Sequence, residues 1–404
     1  MRTLVTVILR CAVVLLAGSH CAALQLFSPS SFTIRRQVGQ LGFATETEWQ
    51  YYGGPRNPLD PSQPARTVEA SGISVRLFDA LLGSGERVLL KEFLAPALDI
   101  GERELAVHEH LQARALELGG PVLGGAPPQV NALLGLLRTD RLFETEAFRK
   151  EWTRALPNTP PPDAGELWLI FRWEGLSTIA GFPRAPQTRA WWDLDGRVAR
   201  AARKRFLKVM VARSLQVVGW LHEAGVVHRS IGTSSLLLST YDEKAPEKLF
   251  VKVIDLGFGS TAMLLPPEDV ASAMSRGAES PLEVMPLLER DDLHCLAYVI
   301  LEVLLTSSAA SYAAGGGRGV QIVTLELQSL KRLVEDVFDG DVIDQMREYV
   351  LQEPKWAMAV ELLDEGERSG WEVLQQLIDC RHPASVAARL VSAQALLRSR
   401  WFQV

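Results

Sequence analysis

The stretch that decides the fold is Gly219–Ser230, with the sequence GWLHEAGVVHRS. It continues the helical pattern of Val198–Ala224 and ends in the polar triplet His228-Arg229-Ser230. Further along the chain, an apolar strand ends in a second polar triplet, Asp255-Leu256-Gly257. The two triplets, each placed where a regular element ends, are the first candidates for a functional site.

The sequence before this stretch predicts a small sheet. The residues between Ile73 and Leu94 read as two strands joined by a turn at Gly83-Ser84-Gly85, and Ile100–Leu116 reads as an amphipathic helix. Two further strands are predicted at Leu133–Arg138 and Leu167–Arg172. After these, long helical patterns dominate, at Val198–Ala224, Asp292–Leu305, Leu325–Phe338, Asp341–Leu351 and Trp371–Asp379. The fold class that follows is α+β, with a small β-rich part before a larger helical part.

The order of these features resembles the signatures of the protein kinase superfamily. In kinases a strand Lys pairs with a helix Glu, an H-R-D loop carries the catalytic base, and a D-F-G loop binds magnesium. The similar residues here are Lys91, Glu104, His228-Arg229-Ser230, Asp255-Leu256-Gly257, the segment Ser280–Glu283, the helix from Asp292 and the closing Ala395–Phe402. The resemblance covers about Thr67 to Phe402 and implies a two-lobed fold, with an N-lobe at 67–172 and a C-lobe at 173–402.

The resemblance also implies ATP and Mg²⁺ as ligands and assigns residues to them. Asp255 would coordinate the magnesium, and Glu102 is an alternative to Glu104 as the partner of Lys91. The cofactor-binding candidates are Lys91, Glu104, Asp255, Ser235, Phe171 and Trp173, of which the last two match the strand that leads to the adenine-binding hinge. The structural candidates are His228, Arg229, Glu283, Asp292 and Arg389, with Glu283 and Arg389 resembling the ion pair that anchors the activation segment.

Several positions depart from the kinase pattern, and all of them weaken catalysis. Ser230 stands where kinases have the Asp that accepts the proton of the attacking hydroxyl, so no catalytic residue is assigned. Gly232 replaces the loop Lys, and Ser235 replaces an Asn ligand of the second magnesium. The residues before Val75 contain no G-x-G-x-x-G loop, since only Gly72 is left there.

These losses predict a pseudokinase that acts as a binding or regulatory scaffold. A missing general base costs roughly 10²–10⁴ in rate, and a weakened electrostatic clamp adds about 10²–10³. Two alternatives stay open: an active but atypical Ser/Thr-type protein kinase that uses Mg-ATP, and a relative of small-molecule or lipid kinases. Whether nucleotide binds, which protein is the partner and what the oligomeric state is are open at this point.

The composition and net charge of the chain argue against nucleic acid as a partner. The chain has 404 residues, 47% of them hydrophobic, and a formal net charge of −6, which is typical of a globular protein and gives no electrostatic reason to bind nucleic acid. Its four cysteines, Cys11, Cys21, Cys295 and Cys380, are too scattered for a disulfide framework or a zinc site.

The N-terminus has the pattern of a targeting leader. Residues 1–23 resemble a signal peptide, and 24–50, rich in Ser and Arg, resemble a transit peptide placed behind it. The Pro-rich run at 51–66 predicts a linker, so the folded domain is expected to start near Thr67 with no stable membrane span after the leader is cleaved. A two-part leader of this kind indicates a plastid protein, with the secretory pathway and the mitochondrion as alternatives.

Overall fold

The computed structural model describes residues 24–41, 75–117, 127–138, 146–158, 166–183, 193, 196–309, 327–381 and 391–403. The chain divides into two compact units, of which the first comprises 1–106 and 132–173 and the second comprises 107–131 and 174–404. Within the described residues, none of the helices combines the length and apolar character that crossing a bilayer requires.

The first unit is built on a six-stranded sheet with the strand order β1-β5-β6-β4-β3-β2. All neighbouring strands are antiparallel except β1 and β5, which run parallel. The strands are β1 Gln25–Leu26, β2 Phe32–Leu41, β3 Val75–Leu82, β4 Arg87–Phe93, β5 Leu133–Arg138 and β6 Leu167–Arg172. The four strands predicted from the sequence, β3 to β6, are confirmed within two residues at their ends.

The sheet begins about 40 residues before the expected domain start at Thr67. β2 lies along β3 from Phe32 opposite Leu82 to Leu41 opposite Val75, and Phe32 is only 6% exposed. Arg35 and Arg36, which suggested a transit peptide, lie 3.8 and 3.6 Å from the Asp79 carboxylate on β3. The two arginines therefore lie on an edge strand of the folded sheet, and the transit peptide at 24–50 stays a prediction. The first 23 residues and the linker at 51–66 lie outside the described residues.

One glycine explains how β1 reaches the sheet. Gly135 on β5 lies opposite Gln25, and a Cβ at this position would stand 2.0 Å from the Gln25 carbonyl oxygen. Only glycine lets the two backbones approach this closely.

Two apolar clusters cover the two faces of this sheet. On one face, the helix α2 Glu146–Ala155 places Trp152 with its ring centroid 5.4 Å from Phe78 and 5.8 Å from Trp168. On the other face, Phe93 and Leu169 pack with the helix α1 Leu98–Glu117, which was predicted at Ile100–Leu116. Burial on both faces explains why β6, with the sequence LWLIFR, is almost continuously apolar.

The second unit is mainly helical and contains two long helices. α3 Arg197–Glu223 and α5 Val284–Ala309 were predicted at Val198–Ala224 and Asp292–Leu305. From Leu293 to Leu305, α5 is buried on nearly every side, which is the expected environment for a helix that is apolar all round. The division between the units falls within α1, whose later residues Val107 and Leu111 belong to the core of the second unit.

Short elements complete the second unit. Its strands form a three-stranded sheet and a two-stranded pair, and after α5 the helices α6 and α7 are shorter than the sequence indicates, whereas α8 is longer. The strands are β7 Ser177–Thr178, β8 Val226–Val227, β9 Leu236–Leu238, β10 Val251–Val253 and β11 Ser260–Thr261, and the remaining helices are α4 Pro267–Ser275, α6 Leu327–Arg332, α7 Arg347–Leu351, α8 Ala357–Asp379 and α9 Ala393–Leu396.

Two of these helices differ from their predictions for a local reason. The run predicted at Leu325–Phe338 continues from α6 as a π-helix over Leu333–Val337, and a second π-turn at Val342–Met346 precedes α7. α8 begins well before the predicted Trp371 and is kinked at Glu365–Arg368, where Gly366 has a φ of 68°. This break in the 3.6-residue period kept the first half of α8 from being recognised.

Candidate functional site

In the first unit, the candidate site contains a buried ion pair. Lys91 on β4 donates from Nζ to Glu104 Oε2 on α1 at 2.7 Å, and the two residues are 5% and 1% exposed. Glu102, the other possible partner, instead accepts two bonds from Arg138, one of them at 2.8 Å from Nη2. The alternative left open by the sequence is therefore settled in favour of Glu104.

The end of β6 contributes the two hinge candidates. Phe171 is 3% exposed and packs in the apolar cluster with Leu133 and Leu169. Trp173 follows the strand, donates its backbone N–H to the Arg87 carbonyl at 3.1 Å, and has the Arg87 guanidinium 3.7 Å from its ring centroid. Phe171 is therefore part of the core of the first unit, and Trp173 is held in a cation–π contact.

The Asp292 carboxylate organises the loop that carries His228 and Arg229. Its Oδ2 accepts from the backbone N–H of His228 and its Oδ1 from that of Arg229, each at 2.7 Å. His222 Nε2 lies 3.1 Å from Oδ2, and Asp292 itself is 1% exposed. A carboxylate with this many donors in the interior fixes the loop backbone and compensates for its own burial.

His228 links this loop to the strand before Asp255. Its ring is buried, with Nε2 lying 2.9 Å from the Ile254 carbonyl oxygen and Nδ1 accepting from the Ser230 backbone N–H at 3.2 Å. Because a ring nitrogen that donates to a carbonyl in the interior is not free to transfer protons, the contacts give His228 a structural role, as the sequence predicts.

The side chains at the expected base and metal positions differ in their surroundings. Ser230 is exposed to solvent, whereas Ser235 is 3% exposed. The Ser235 hydroxyl both donates to the Gly232 carbonyl and accepts from the Gly232 N–H, each at 2.9 Å. The hydroxyl that was expected to touch a metal is thus used to close its own loop.

Asp255 has the left-handed backbone conformation, with φ 62° and ψ 54°. The following turn, Leu256–Phe258, buries Leu256 and Gly257 and leaves Phe258 37% exposed. Among the residues that the structure describes, no group of three or more Asp, Glu, His or Cys side chains is placed to hold a metal ion. Ser235, the other residue expected near a metal, is engaged within its own loop.

Arg229 has a partner that the sequence did not identify. Its guanidinium donates to both carboxylate oxygens of Asp269 on α4, at 2.6 and 2.7 Å. The sequence does not identify Asp269 as this partner, because nothing in the local pattern distinguishes it from Glu268 beside it. The sequence pattern also does not single out two other residues near this loop. They are His222, the third donor to Asp292, and Glu289, whose carboxyl has its pKa raised by burial.

The two remaining structural candidates are only partly described. Glu283 accepts from the Glu279 backbone N–H at 3.0 Å, which closes the turn that contains Ser280 and Pro281. Its expected partner, Arg389, lies outside the described residues, so the ion pair stays a prediction.

The topology also changes where a phosphate-binding glycine loop would be sought. The expectation places it directly before Val75, but the strand that pairs with β3 is β2, so the connection between these two strands is the run 42–74. This run lies outside the described residues. β2 itself carries Gly39, and Gly42 follows in the sequence.

Comparisons with known proteins support the fold. No family model matches the chain, and neither does any curated protein. Among solved structures, it is similar to the crystal structure of an Stt7 homologue from Micromonas algae soaked with ATP. The likeness has a TM-score of 0.51 and 18% identity and covers 87% of this chain and 97% of that one. The chain thus has a protein-kinase-like fold, and the predicted fold class is confirmed.

Proposed function

We propose that this protein is a pseudokinase, in which the kinase-like fold is kept as a binding scaffold and phosphoryl transfer is lost. The observation that carries the proposal is the contrast within one loop. Asp292 fixes the backbone of His228 and Arg229 at 2.7 Å, yet the base position is occupied by Ser230, whose hydroxyl is exposed. The loop is ordered without the carboxylate that would accept a proton.

The sequence offers no nearby substitute for that carboxylate. After Ser230 the next acidic residue is Asp242, and the loop Ile231–Ser235 contains only apolar, glycine and hydroxyl residues. A serine hydroxyl is not a base at neutral pH unless a second base deprotonates it. Gly232 adds no charge to stabilise a transferring phosphoryl group, so electrostatic stabilisation is weakened as well.

A transfer assay tests the proposal directly. Purified chain is incubated with ATP labelled in the γ-phosphate, Mg²⁺ or Mn²⁺, and generic protein substrates, beside an active protein kinase of known rate. We expect no labelled protein above the background of the Asp255→Asn variant. Transfer that is present in the wild type and lost in Asp255→Asn would refute the pseudokinase.

A second candidate function is nucleotide binding without transfer. Two observations favour it: the Lys91–Glu104 pair is formed at 2.7 Å, and Asp255 keeps the left-handed conformation at the start of its turn. The solved Stt7 homologue is described as soaked with ATP, which makes ATP the ligand to test first. In this proposal Lys91 would contact the phosphates and Asp255 the magnesium.

A thermal-shift titration separates the two candidates. The wild type and the Asp255→Asn variant are each measured in three conditions: ATP with Mg²⁺, ATP with EDTA, and Mg²⁺ without ATP. A rise in the melting temperature that needs both ATP and Mg²⁺ and is lost in Asp255→Asn supports nucleotide binding. An unchanged melting temperature in all arms leaves a scaffold that binds no nucleotide.

We also propose that the protein is directed to a plastid by a signal peptide at 1–23 and a transit segment within 24–50, with the secretory pathway and the mitochondrion as alternatives. Its support is the apolar pattern of residues 1–23 and the Ser and Arg residues that follow it. Mass spectrometry of the mature N-terminus tests it, because a cut beyond Leu41 would remove β1 and β2.

A further inference from the structure

The segment Leu333–Glu353 has one face in the core of the second unit and one face in solvent. It comprises the two π-turns and α7, joined by Phe338–Asp341. Every fourth residue points inward: Val334, Phe338, Val342, Met346 and Val350 are each at most 8% exposed. We call the opposite side of this segment the outer face.

The outer face carries apolar side chains that nothing described covers. Val337 is 63% exposed, Tyr349 41% and Leu351 50%. The Tyr349 ring centroid lies 5.6 Å from that of Phe338 and 6.2 Å from that of Trp356. These contacts join α7 to the first π-turn and give Tyr349 a rigid aromatic base, which is the kind of residue that contributes most to protein interfaces.

The exposed side of this segment also carries acidic side chains. Seven Asp and Glu residues and one basic residue, Arg347, lie between Leu333 and Glu353. Three of these acids are near cations, since Arg347 pairs with Glu348, Lys355 lies 3.4 Å from Glu353 and Arg368 lies 3.9 Å from Asp344. Asp336 and Asp339 are exposed, and no described cation pairs with either of them. Glu335 is engaged elsewhere, because it accepts from the Tyr298 hydroxyl at 2.7 Å.

We propose that the outer face binds a basic, amphipathic segment of a partner protein. Apolar residues of that segment would cover Val337 and Leu351, and its Lys and Arg residues would lie against Asp336 and Asp339. Charge complementarity selects this occupant, since nucleic acids and anionic membranes would be repelled. A second copy that used the same face in a symmetric dimer would bring the exposed Asp336 and Asp339 carboxylates of the two copies together.

This inference rests on the proposed scaffold function, because it names the class of partner that the scaffold would hold. The two are tested separately: transfer of labelled phosphate decides the first, and binding of a peptide decides the second. A chain that transfers phosphate and still binds the peptide would refute only the pseudokinase.

The experiment measures the binding of a fluorescein-labelled Leu/Lys peptide by fluorescence anisotropy. In this peptide, Leu and Lys occupy opposite faces of a helix, and the full chain is titrated into it at low and at high salt. A peptide of the same composition with the order scrambled serves as the ligand control. We expect the segregated peptide to bind more tightly than the scrambled one, and its affinity to fall as salt rises.

Two pairs of variants test the location of the site. Val337→Ser with Leu351→Ser removes the apolar contacts, and Asp336→Asn with Asp339→Asn removes the unpaired charges. The matched control combines Phe250→Ser with Glu247→Gln, since Phe250 is 64% exposed and Glu247 is exposed on a different element. We expect each test pair to weaken binding by about tenfold, and the control pair to leave it unchanged.

Three outcomes would overturn the proposal. The first is no binding of the segregated peptide, and the second is equal binding of both peptides. The third is a loss of affinity in the control pair as large as in the test pairs. Light scattering tests whether a second copy of the chain occupies the outer face. If the wild type is a dimer and the variant with Val337→Ser and Leu351→Ser is a monomer, the outer face serves self-association and a separate partner is refuted.

Discussion

Arg229 and Asp269 form a two-point ion pair, with the guanidinium nitrogens 2.6 and 2.7 Å from the two carboxylate oxygens. Arg229 has a φ of 66°, a conformation that costs a non-glycine residue about 1 kcal/mol or more. Its backbone N–H is held by Asp292 and its side chain by Asp269, so two carboxylates keep this residue in place. The pair connects the loop after β8 to the helix α4.

The first prediction concerns α4. Replacing Asp269 by Asn removes the charge that pairs with Arg229, and we expect a loss of about 1–2 kcal/mol that is confined to α4 and the turn after it. Hydrogen exchange followed by mass spectrometry should show faster exchange in Pro267–Ser275. The matched control, Glu268→Gln, changes an exposed neighbour and should leave exchange unchanged. Equal protection in both variants would mean that the ion pair does not hold the helix.

The second prediction concerns Asp292. Asp292→Ala leaves the N–H groups of His228 and Arg229 without their acceptor in the interior, and we expect a loss of roughly 3 kcal/mol or more in the free energy of unfolding. Asp292→Asn keeps one acceptor oxygen and should cost less. Urea unfolding of the two variants measures the difference. Equal losses in the two variants would show that a single remaining acceptor oxygen does not hold the loop and that the full carboxylate is required.

The third prediction concerns the two described cysteines. Cys380 is 0% exposed, and burial raises the pKa of its thiol to about 12, while burial also raises the pKa of Cys295. Since only the thiolate reacts, the reactive fraction at pH 8 is small for both and increases as the pH rises toward the raised pKa. We expect iodoacetamide at pH 8 to label neither residue in the native protein and both in urea, as read by peptide mass spectrometry. Rapid native labelling would contradict the burial of these thiols.

The fourth prediction concerns the start of the domain. Phe27 and Phe32 are each 6% exposed in the cluster that contains Phe78 and Trp168, so a chain that begins at Thr67 would expose that cluster. We expect a chain that begins at Leu24 to remain soluble and to fold. A chain that begins at Thr67 should aggregate or melt at a markedly lower temperature. Equal melting temperatures for the two shortened chains would show that the domain starts after the Pro-rich linker, near Thr67.

The sequence predicted the elements whose pattern is local. The strands β5 and β6, the helix α3 and the loop at His228 follow from short apolar runs with polar ends, and the order of these elements was enough to indicate the kinase-like fold. The resemblance also singled out Asp292 as a structural candidate, and its carboxylate accepts from the backbone N–H groups of His228 and Arg229.

Contacts between distant residues were harder to predict. β1 and β2 were missed because the 33 residues from 42 to 74 separate β2 from its partner β3, so that no hairpin signal is present. The Ser235 hydroxyl closes its own loop, and Asp269 rather than Glu268 meets Arg229; neither can be read from composition or spacing. A choice between neighbouring acids depends on the direction of the side chain, which only the folded backbone fixes.

The last prediction concerns the contribution of the Lys91–Glu104 pair to the stability of the protein. Both residues are nearly buried, so Lys91→Met leaves a carboxylate and Glu104→Gln leaves an ammonium group without its partner in the interior. Each single variant should lose about 3–5 kcal/mol in the free energy of unfolding, and the double variant should lose clearly less than the sum. Urea unfolding of the wild type, the two single variants and the double variant gives the coupling energy. The control is the same set of measurements on the exposed pair Arg114 and Glu117, changed to Met and Gln. Losses that simply add would show that the two side chains act independently, and the pair would then have no part in fixing α1 on the sheet.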